Sequence, residues 1–210
     1  MEILQQISEQ LQKGKAKDVV ALVQQAIDEK IPVQTILDDG LIAGMDVVSE
    51  KFKNFEMFVP EVLVAARAMN KGAELLKPLL KEEGAVSHGK VCIGTIKGDL
   101  HDIGKNLCVM MMEGKGLDVI NLGTDVDPDT FVETAIKENC TVIGCSALLT
   151  TTMNAMAEVV KKCEEAGIRD KVKIMIGGAP VTQEFCDRIG ADCYTPDATT
   201  AAEKAVEFCR

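Results

Sequence analysis

The pattern of apolar positions divides the chain into two parts. In the first part, residues 3–11 and 19–27 place apolar side chains at every third or fourth position, which predicts two amphipathic helices, the second ending before Pro32. A third helix is predicted from about Thr35 to Phe52, and a long fourth helix follows the segment FEMFVP, with Pro60 in its first turn. Helices joined by short connections predict a four-helix bundle.

The second part alternates short apolar runs with helical segments. The runs VCIGTI, DVINLG, CTVIGCSA and KIMIGG are each followed by a helical pattern, and the last such pattern is AAEKAVEF. This alternation predicts a doubly wound parallel sheet, a Rossmann-like α/β domain of the flavodoxin type. Between the two parts, residues 81–90 (KEEGAVSHGK) predict a linker, so we expect a bundle at residues 1–88 and an α/β domain at residues 89–210.

Composition narrows the functions open to this chain. It carries 33 acidic and 23 basic residues, a formal net charge of -10, and only 3% aromatic residues, which argues against nucleic-acid binding. No apolar stretch reaches the roughly 18 residues needed to cross a bilayer, and the N-terminus lacks the features of a secretory signal. The cysteines are scattered singly, which indicates reduced thiols. We therefore expect a cytoplasmic protein that binds neither nucleic acid nor membrane.

Candidate chemistry lies after the first predicted strand, in the segment KGDLHDIGKN. It places Gly98, Asp99, His101 and Gly104 at the carboxyl edge of the sheet, where ligands bind in such folds. Asp99 precedes His101 by two residues, so its carboxylate is able to accept the ring N–H that a metal-bound imidazole leaves free. The segment alone is equally consistent with Asp99 as a helix cap and His101 as an exposed loop residue.

Two later strand ends complete a recognisable combination. Ser146, Leu148 and Thr150 follow the third apolar run, and Gly177 and Gly178 end the fourth; taken singly, each is more often a helix cap or an ordinary turn. In combination, DxHxxG, SxL and GG at these separations resemble the signature of the cobalamin-binding family.

The resemblance extends over nearly the whole chain. A helical bundle with MFVPEVLVAARAM before GDLHDIGKN is similar to the cap and cobalamin modules of methionine synthase. It is closer still to the small corrinoid proteins of methanogens and acetogens. Those proteins serve methyltransferases that demethylate methanol, methylamines or aryl methyl ethers.

The resemblance implies a role for each site residue. His101 would replace the cofactor's dimethylbenzimidazole as the lower axial ligand of cobalt, and Asp99 and Ser146 would form a hydrogen-bonded relay behind it. The displaced nucleotide tail would lie beside Ser146, with Gly177 and Gly178 making room for it. Phe58 would cover the upper face of the corrin, although as a bundle aromatic it is also consistent with ordinary core. The implied cofactor-binding residues are Phe58, Gly98, Asp99, His101, Asp102, Ile103, Gly104, Ser146, Leu148, Thr150, Gly177 and Gly178.

The function implied by the resemblance is that of a methyl carrier. Co(I) would take a methyl group from a substrate through one partner methyltransferase, and methyl-Co(III) would pass it to a second for a folate, pterin or thiol acceptor. A reductive activase is a further expected partner, and the linker is the expected hinge of a movable cap. The subunit alone would not be a complete enzyme.

Two other functions are compatible with a cobalamin-binding loop of this kind at residues 97–106. One is the cobalamin subunit of a radical mutase, in which a preceding bundle with FVPEV is not expected. The other is a cobalamin-dependent regulator, which usually needs an output domain that this chain has no spare length to contain.

Overall fold

A computed structural model describes residues 2–82 and 89–210 of the chain. These residues form two compact units, one made of residues 2–82 with Glu113–Gly116 and the other of residues 89–112 with Leu117–Arg210. Within the described ranges, no helix is long and apolar enough to cross a membrane. Most of the predicted linker and hinge, residues 81–90, lies outside the described residues.

The first unit is helical, as its apolar pattern predicts. Its elements are α1 (Glu2–Gln12), α2 (Ala16–Asp28), α3 (Val33–Thr35), a π-helical segment (Ile36–Ile42), α4 (Ala43–Lys53) and α5 (Val59–Glu82). The predicted third helix thus begins with a π-helical segment and continues as α4. Helix α4 packs closely on α1 at Gly44, where an added Cβ would lie only 3.1 Å from the Cα of Ser8. On the apolar faces of α1 and α2, Ile7, Leu11 and Val19 are fully buried.

The second unit is a parallel α/β sheet. Its elements are β1 (Lys90–Ile96), α6 (Ile103–Gly114), β2 (Asp118–Val126), α7 (Pro128–Glu138), β3 (Val142–Ser146), α8 (Ala155–Glu165), β4 (Lys173–Gly177), α9 (Gln183–Ile189), β5 (Cys193–Thr195) and α10 (Ala198–Cys209). The strand order is β2-β1-β3-β4-β5, the order of flavodoxin-like sheets. The predicted fold class is therefore confirmed.

Strand β1 lies between β2 and β3, so the order of the chain reverses beside it. Open α/β sheets bind ligands at this reversal, beyond the carboxyl ends of the strands. In the registers of neighbouring strands, Thr95 is opposite Ser146 and Ser146 is opposite Gly177. The strand ends that carry the predicted site residues are thus neighbours in the sheet.

The packing of α7 on β1 supports the strand that leads to this edge. Phe131 of α7 is fully buried and lies against Gly94, since a Cβ there would stand 3.0 Å from the Phe131 Cζ. We expect Phe131→Ala to lower the free energy of unfolding by about 3–5 kcal/mol, because the cavity cannot close completely. Urea unfolding followed by circular dichroism measures the change.

The matched control is Phe55→Ala in the first unit, where the ring is 86% exposed. This exposed truncation should change the free energy of unfolding by no more than about 0.5 kcal/mol. Equal effects of the two substitutions would contradict the assigned packing of α7.

Candidate functional site

The buried carboxylate of Asp99 organises the loops that follow β1 and β3. Its Oδ1 accepts hydrogen bonds from the backbone N–H of His101 at 3.0 Å and from the His101 Nδ1 at 2.7 Å. Its Oδ2 accepts from the backbone N–H groups of Leu148 and Leu149, at 2.7 and 3.1 Å, and from the Thr152 hydroxyl at 3.1 Å. A single side chain therefore joins two loops that are far apart in sequence.

These contacts keep Asp99 ionised. Burial raises the pKa of the carboxyl group, but the N–H groups of His101, Leu148 and Leu149 stabilise the charged form more strongly, so the pKa lies well below its ordinary value. The site therefore contains a permanent negative charge with saturated hydrogen-bonding capacity.

The His101 ring is hydrogen-bonded to the protein through Nδ1 and leaves Nε2 without a described partner. Because the Asp99 carboxylate accepts from Nδ1, that nitrogen carries a proton, and in the neutral imidazole Nε2 is the nitrogen with the free lone pair. The side chain is 51% exposed, and no hydrogen bond to Nε2 is described within residues 2–82 and 89–210. The Thr95 hydroxyl also donates to the His101 carbonyl at 2.8 Å. This is the arrangement of a preoriented metal ligand.

A turn anchored by β2 holds the start of the same loop. The backbone N–H of Gly98 donates to Asp125 Oδ1 at 2.7 Å, and the backbone N–H of Asp125 donates to the Asp99 carbonyl at 3.0 Å. Gly98 has a φ of 82°, which a residue with a Cβ adopts only with strain. Asp125 is a supporting residue that the sequence interpretation missed.

A polar cluster fixes the beginning of α6. The Lys105 ammonium is buried and donates to the side-chain oxygens of Asn106 and Asn121, each at 2.7 Å. Asn106 in turn donates to Asp102 Oδ2 at 2.9 Å. Burial lowers the pKa of Lys105, an effect that Asp102 partly opposes. The Asp102 carboxylate is thus bonded to a side chain of α6. The neighbouring Ile103 side chain is 82% exposed.

The hydroxyl behind Asp99 differs from the predicted one. Thr152, six positions beyond Ser146, donates to Asp99 Oδ2, and no described hydrogen bond joins Asp99 to Ser146. The physical reason is that Ser146 is still part of β3, whereas the chain turns after it and brings Thr152 back over the carboxylate. The only sequence signal for this contact was the run of three threonines at residues 150–152. The sequence interpretation named Thr150 as a cofactor-binding residue and did not name Thr152.

The remaining predicted residues have different surroundings. Leu148 and Thr150 are exposed in the loop after β3, and Gly177 ends β4. Gly178 has a structural role of its own, because a Cβ there would lie 1.8 Å from the carbonyl oxygen of Ala147. Its lack of a side chain therefore serves close packing of the two loops, not only space for a ligand.

Phe58 belongs to the first unit. Its side chain is 67% exposed, so it is not ordinary core of the helices. Its backbone N–H donates to Glu61 Oε2 at 2.8 Å, which caps the start of α5 and fixes the loop that presents the ring.

The fold and the site first define a class of protein: a flavodoxin-like sheet whose ligand-binding edge presents a carboxylate-oriented histidine, with a helical unit before it. Comparison with known proteins narrows this class. A family model described as the B12 binding domain matches residues 89–206, and a second with the same description matches residues 3–77.

Individual relatives cover the whole chain. The dimethylamine corrinoid protein of Methanosarcina barkeri is 42% identical over 208 residues, which are 99% of this chain and 97% of that protein. The crystal structure of the methanol:cobalamin methyltransferase complex of Methanosarcina barkeri matches with a TM-score of 0.89 and 32% identity, over 99% of this chain and 80% of that one. A cobalamin-binding protein from Desulfitobacterium hafniense matches with a TM-score of 0.79 and 27% identity, over 98% of both chains.

The chain therefore belongs to the B12-binding family and, within it, to the corrinoid proteins of methyltransferase systems. The resemblance expected from the sequence motifs is confirmed.

The depressed pKa of Asp99 makes an acid-stability prediction. The folded state resists protonation of this carboxyl group, so the unfolded state takes up more protons as the pH falls below about 4, and the contribution of Asp99 to stability is lost. We expect Asp99→Asn to lower the free energy of unfolding near pH 7 and to flatten its decline in acid. Urea titrations between pH 3 and about 7 test both effects.

The control is Asp170→Asn, which removes an exposed carboxylate for which no hydrogen bond is described. It should leave the slope of stability against pH close to that of the wild type. If Asp99→Asn and the wild type decline in parallel, the buried charge does not have the assigned role.

Proposed function

We propose that this protein is a corrinoid methyl carrier in which His101 would hold the cobalt. The observation that supports this proposal most directly is the pair formed by Asp99 and His101. The carboxylate fixes Nδ1 and leaves the exposed Nε2 as a donor atom. This pair lies at the edge where flavodoxin-like sheets bind ligands.

The residues around His101 fit a large, flat and mostly apolar ligand. Leu100 and Ile103 flank the histidine in sequence and are exposed, and so are Leu148 and Leu149, whose N–H groups bind Asp99. Apolar side chains on a surface loop are costly in water unless a ligand or partner covers them. Gly104, also exposed, permits close approach above the start of α6.

A bound corrinoid supplies a cobalt centre that accepts a methyl group and gives it up again. The chain's own residues hold and tune this centre. Asp99 orients His101, and the Thr152 hydroxyl stabilises the Asp99 carboxylate by donating to its Oδ2. With Nδ1 held by Asp99, Nε2 is the ring nitrogen of His101 that would hold the cobalt.

Partner proteins complete the proposed system. The relatives are corrinoid proteins, and one solved structure is a complex with a methyltransferase, which supports a methyltransferase partner and favours the carrier over a mutase subunit or a regulator. We further propose a second methyltransferase for the acceptor, a reductive activase, and a division into a cap at residues 1–88 and a cobalamin domain at residues 89–210, with Phe58 on the cap. The eight free cysteines fit a reducing cytoplasm.

The test of the function is the visible spectrum of the reconstituted protein. Wild type should bind cobalamin stoichiometrically in a form whose benzimidazole is displaced by histidine, and His101→Ala should lose the histidine ligation. His88→Ala, at the only other histidine, is the matched control and should keep the wild-type spectrum. Failure of the wild type to retain any corrinoid, or ligation that persists in His101→Ala, would overturn the proposal.

The contact from Thr152 predicts a separate effect on the strength of ligation. We expect Thr152→Val to weaken histidine coordination about tenfold or more, because an unsupported Asp99 orients the imidazole less firmly. The pH midpoint at which histidine leaves the cobalt, followed by visible absorption, should move upward. Thr151→Val, at an exposed neighbour, is the control, and equal midpoints for both variants would reject the relay through Thr152.

A further inference from the structure

Strand β2 forms one edge of the sheet and does not pair evenly with β1. The paired residues are Ile93 with Asn121, Gly94 with Gly123, and Ile96 with Val126. In each of the two intervals between these pairs, β2 has one residue more than β1. Bulges of this kind bend a strand and redirect its side chains, and they are frequent beside functional sites. The side chains at the two bulges of β2 are therefore candidates for contacts with neighbouring loops.

The second bulge holds the start of the segment that carries His101. This segment, residues 97–102, joins β1 to α6 and is called the histidine loop below. Asp125 lies at the second bulge with a left-handed backbone, at a φ of 53°. Its carboxylate accepts from the Gly98 N–H at 2.7 Å, and its own N–H donates to the Asp99 carbonyl at 3.0 Å. One residue of the edge strand thus holds two consecutive residues of the loop.

The first bulge connects β2 to the other end of the histidine loop. Asn121 Oδ1 accepts from the N–H of Gly123, which lies across the bulge, at 3.1 Å. Asn121 Nδ2 donates to Asn106 Oδ1 in the first turn of α6 at 3.2 Å, and Asn106 Nδ2 donates to Asp102 Oδ2 at 2.9 Å. Asp102 ends the loop and follows His101 directly. Both ends of the loop are therefore connected to the same edge strand.

The Lys105 ammonium joins the two amides of this second connection. It is 2% exposed, and it donates to Asn106 Oδ1 and Asn121 Oδ1, each at 2.7 Å. Both partners are neutral, so they offset only part of the free energy needed to bury a charge. Neither oxygen depends on Lys105, because Asn106 Oδ1 also accepts from Asn121 and Asn121 Oδ1 also accepts from Gly123. Satisfying these oxygens therefore does not explain the buried charge.

The ammonium instead fixes the orientation of both amides. A side-chain amide is able to present either its oxygen or its NH2 group in a given direction. Because both oxygens face Lys105, the NH2 group of Asn106 faces the Asp102 carboxylate. If the Asn106 amide turned over, its oxygen would face that carboxylate, and the hydrogen bond to the end of the histidine loop would be lost.

We propose that Lys105 is a positioning residue for His101. By orienting the amides of Asn106 and Asn121, it holds the end of the histidine loop to β2, while Asp125 holds the start. Asp99 binds the imidazole ring itself, and Lys105 restrains the backbone that carries this ring. The inference deepens the proposed corrinoid function and rests on it for the role of His101 as a ligand.

The first test uses the apo-protein and the substitution Lys105→Met, which keeps an apolar stem and removes the charged donor. In a His88→Ala background, His101 is the only histidine, and proton–nitrogen correlation NMR shows which ring nitrogen carries the proton. Wild type should show the single tautomer protonated at Nδ1. Lys105→Met should show a mixture of both tautomers, because the loosened loop no longer keeps the ring at Asp99. Asn121→Ala, at an exposed strand residue, should have the same effect from the other side of the contact.

The second test uses the cobalamin-loaded protein and visible absorption. Both variants should weaken histidine coordination about tenfold, as loss of a supporting contact does in other metal sites, and should therefore raise the pH midpoint at which histidine leaves the cobalt by about one unit. If the two residues act through one contact, the double variant should lose no more than either single variant.

Stability and a matched control separate positioning from packing. Lys105→Met should leave the melting temperature of the apo-protein unchanged or higher, because an apolar side chain replaces a buried ammonium. The control is Lys90→Met, since Lys90 of β1 lies 3.6 Å from Asp118 of β2 at the opposite end of the same strands; it should leave the tautomer and the midpoint unchanged. A lower melting temperature of Lys105→Met with an unchanged tautomer and midpoint would assign Lys105 to packing, and equal shifts in Lys90→Met would also overturn the inference.

The two proposals fail in different ways. If wild type does not bind cobalamin, the corrinoid function is wrong, and the tautomer of the apo-protein still decides whether Lys105 positions the ring. If wild type coordinates cobalt through His101 and both Lys105→Met and Asn121→Ala keep its tautomer and midpoint, only the positioning role is rejected. If Lys105→Met does not fold, Asn121→Ala decides in the same way.

Discussion

The functional edge of this protein depends on one buried charge. Asp99 carries a carboxylate into a fully buried position, which is costly unless hydrogen bonds replace the lost water. Two oxygens accept from the loop that contains His101, from the turn after β3 and from Thr152. The same bonds that make burial tolerable also fix the loops relative to each other. The hydrogen bonds that stabilise the buried charge of Asp99 therefore also hold the loops of the site in place.

This bracing gives His101 an asymmetric environment. One ring nitrogen is bound inside the protein, and the other is presented outward on an exposed side chain. The imidazole is consequently oriented without being blocked, as a reversible metal ligand requires. The Asp99 carboxylate thus fixes the ring through Nδ1 while Nε2 stays accessible from outside the protein.

Sequence patterns were sufficient for the fold class and for placing Asp99 and His101 in the loop after the first strand. Helical and strand periods identified every long element, because amphipathic faces report burial directly. They missed β5, since Cys193–Thr195 is too short to show a period, and they did not reveal the π-helical segment Ile36–Ile42. In the site, DxHxxG located Asp99 and His101 because the two residues are close in sequence.

The contacts that sequence could not supply are those made across long separations. Thr152 and Asp125 reach the β1 loop from other strands, and nothing in their immediate neighbours indicates which hydroxyl or carboxylate will face it. Choosing Ser146 for the relay failed for this reason. A local motif identifies the residues of one loop. Their hydrogen-bond partners come from segments distant in sequence, and only the tertiary fold determines which side chains those are.

Asp99 and Thr199 are two buried polar residues whose hydrogen bonding differs. Asp99 is satisfied entirely by the protein and belongs to a rigid frame. Thr199 has no described partner, although it lies in the first turn of a helix that packs on the same sheet. A folded chain tolerates few such atoms, because each lowers stability without compensation. Asp99 is the opposite case, in which a buried polar group is retained because its hydrogen bonds join the loops of the site.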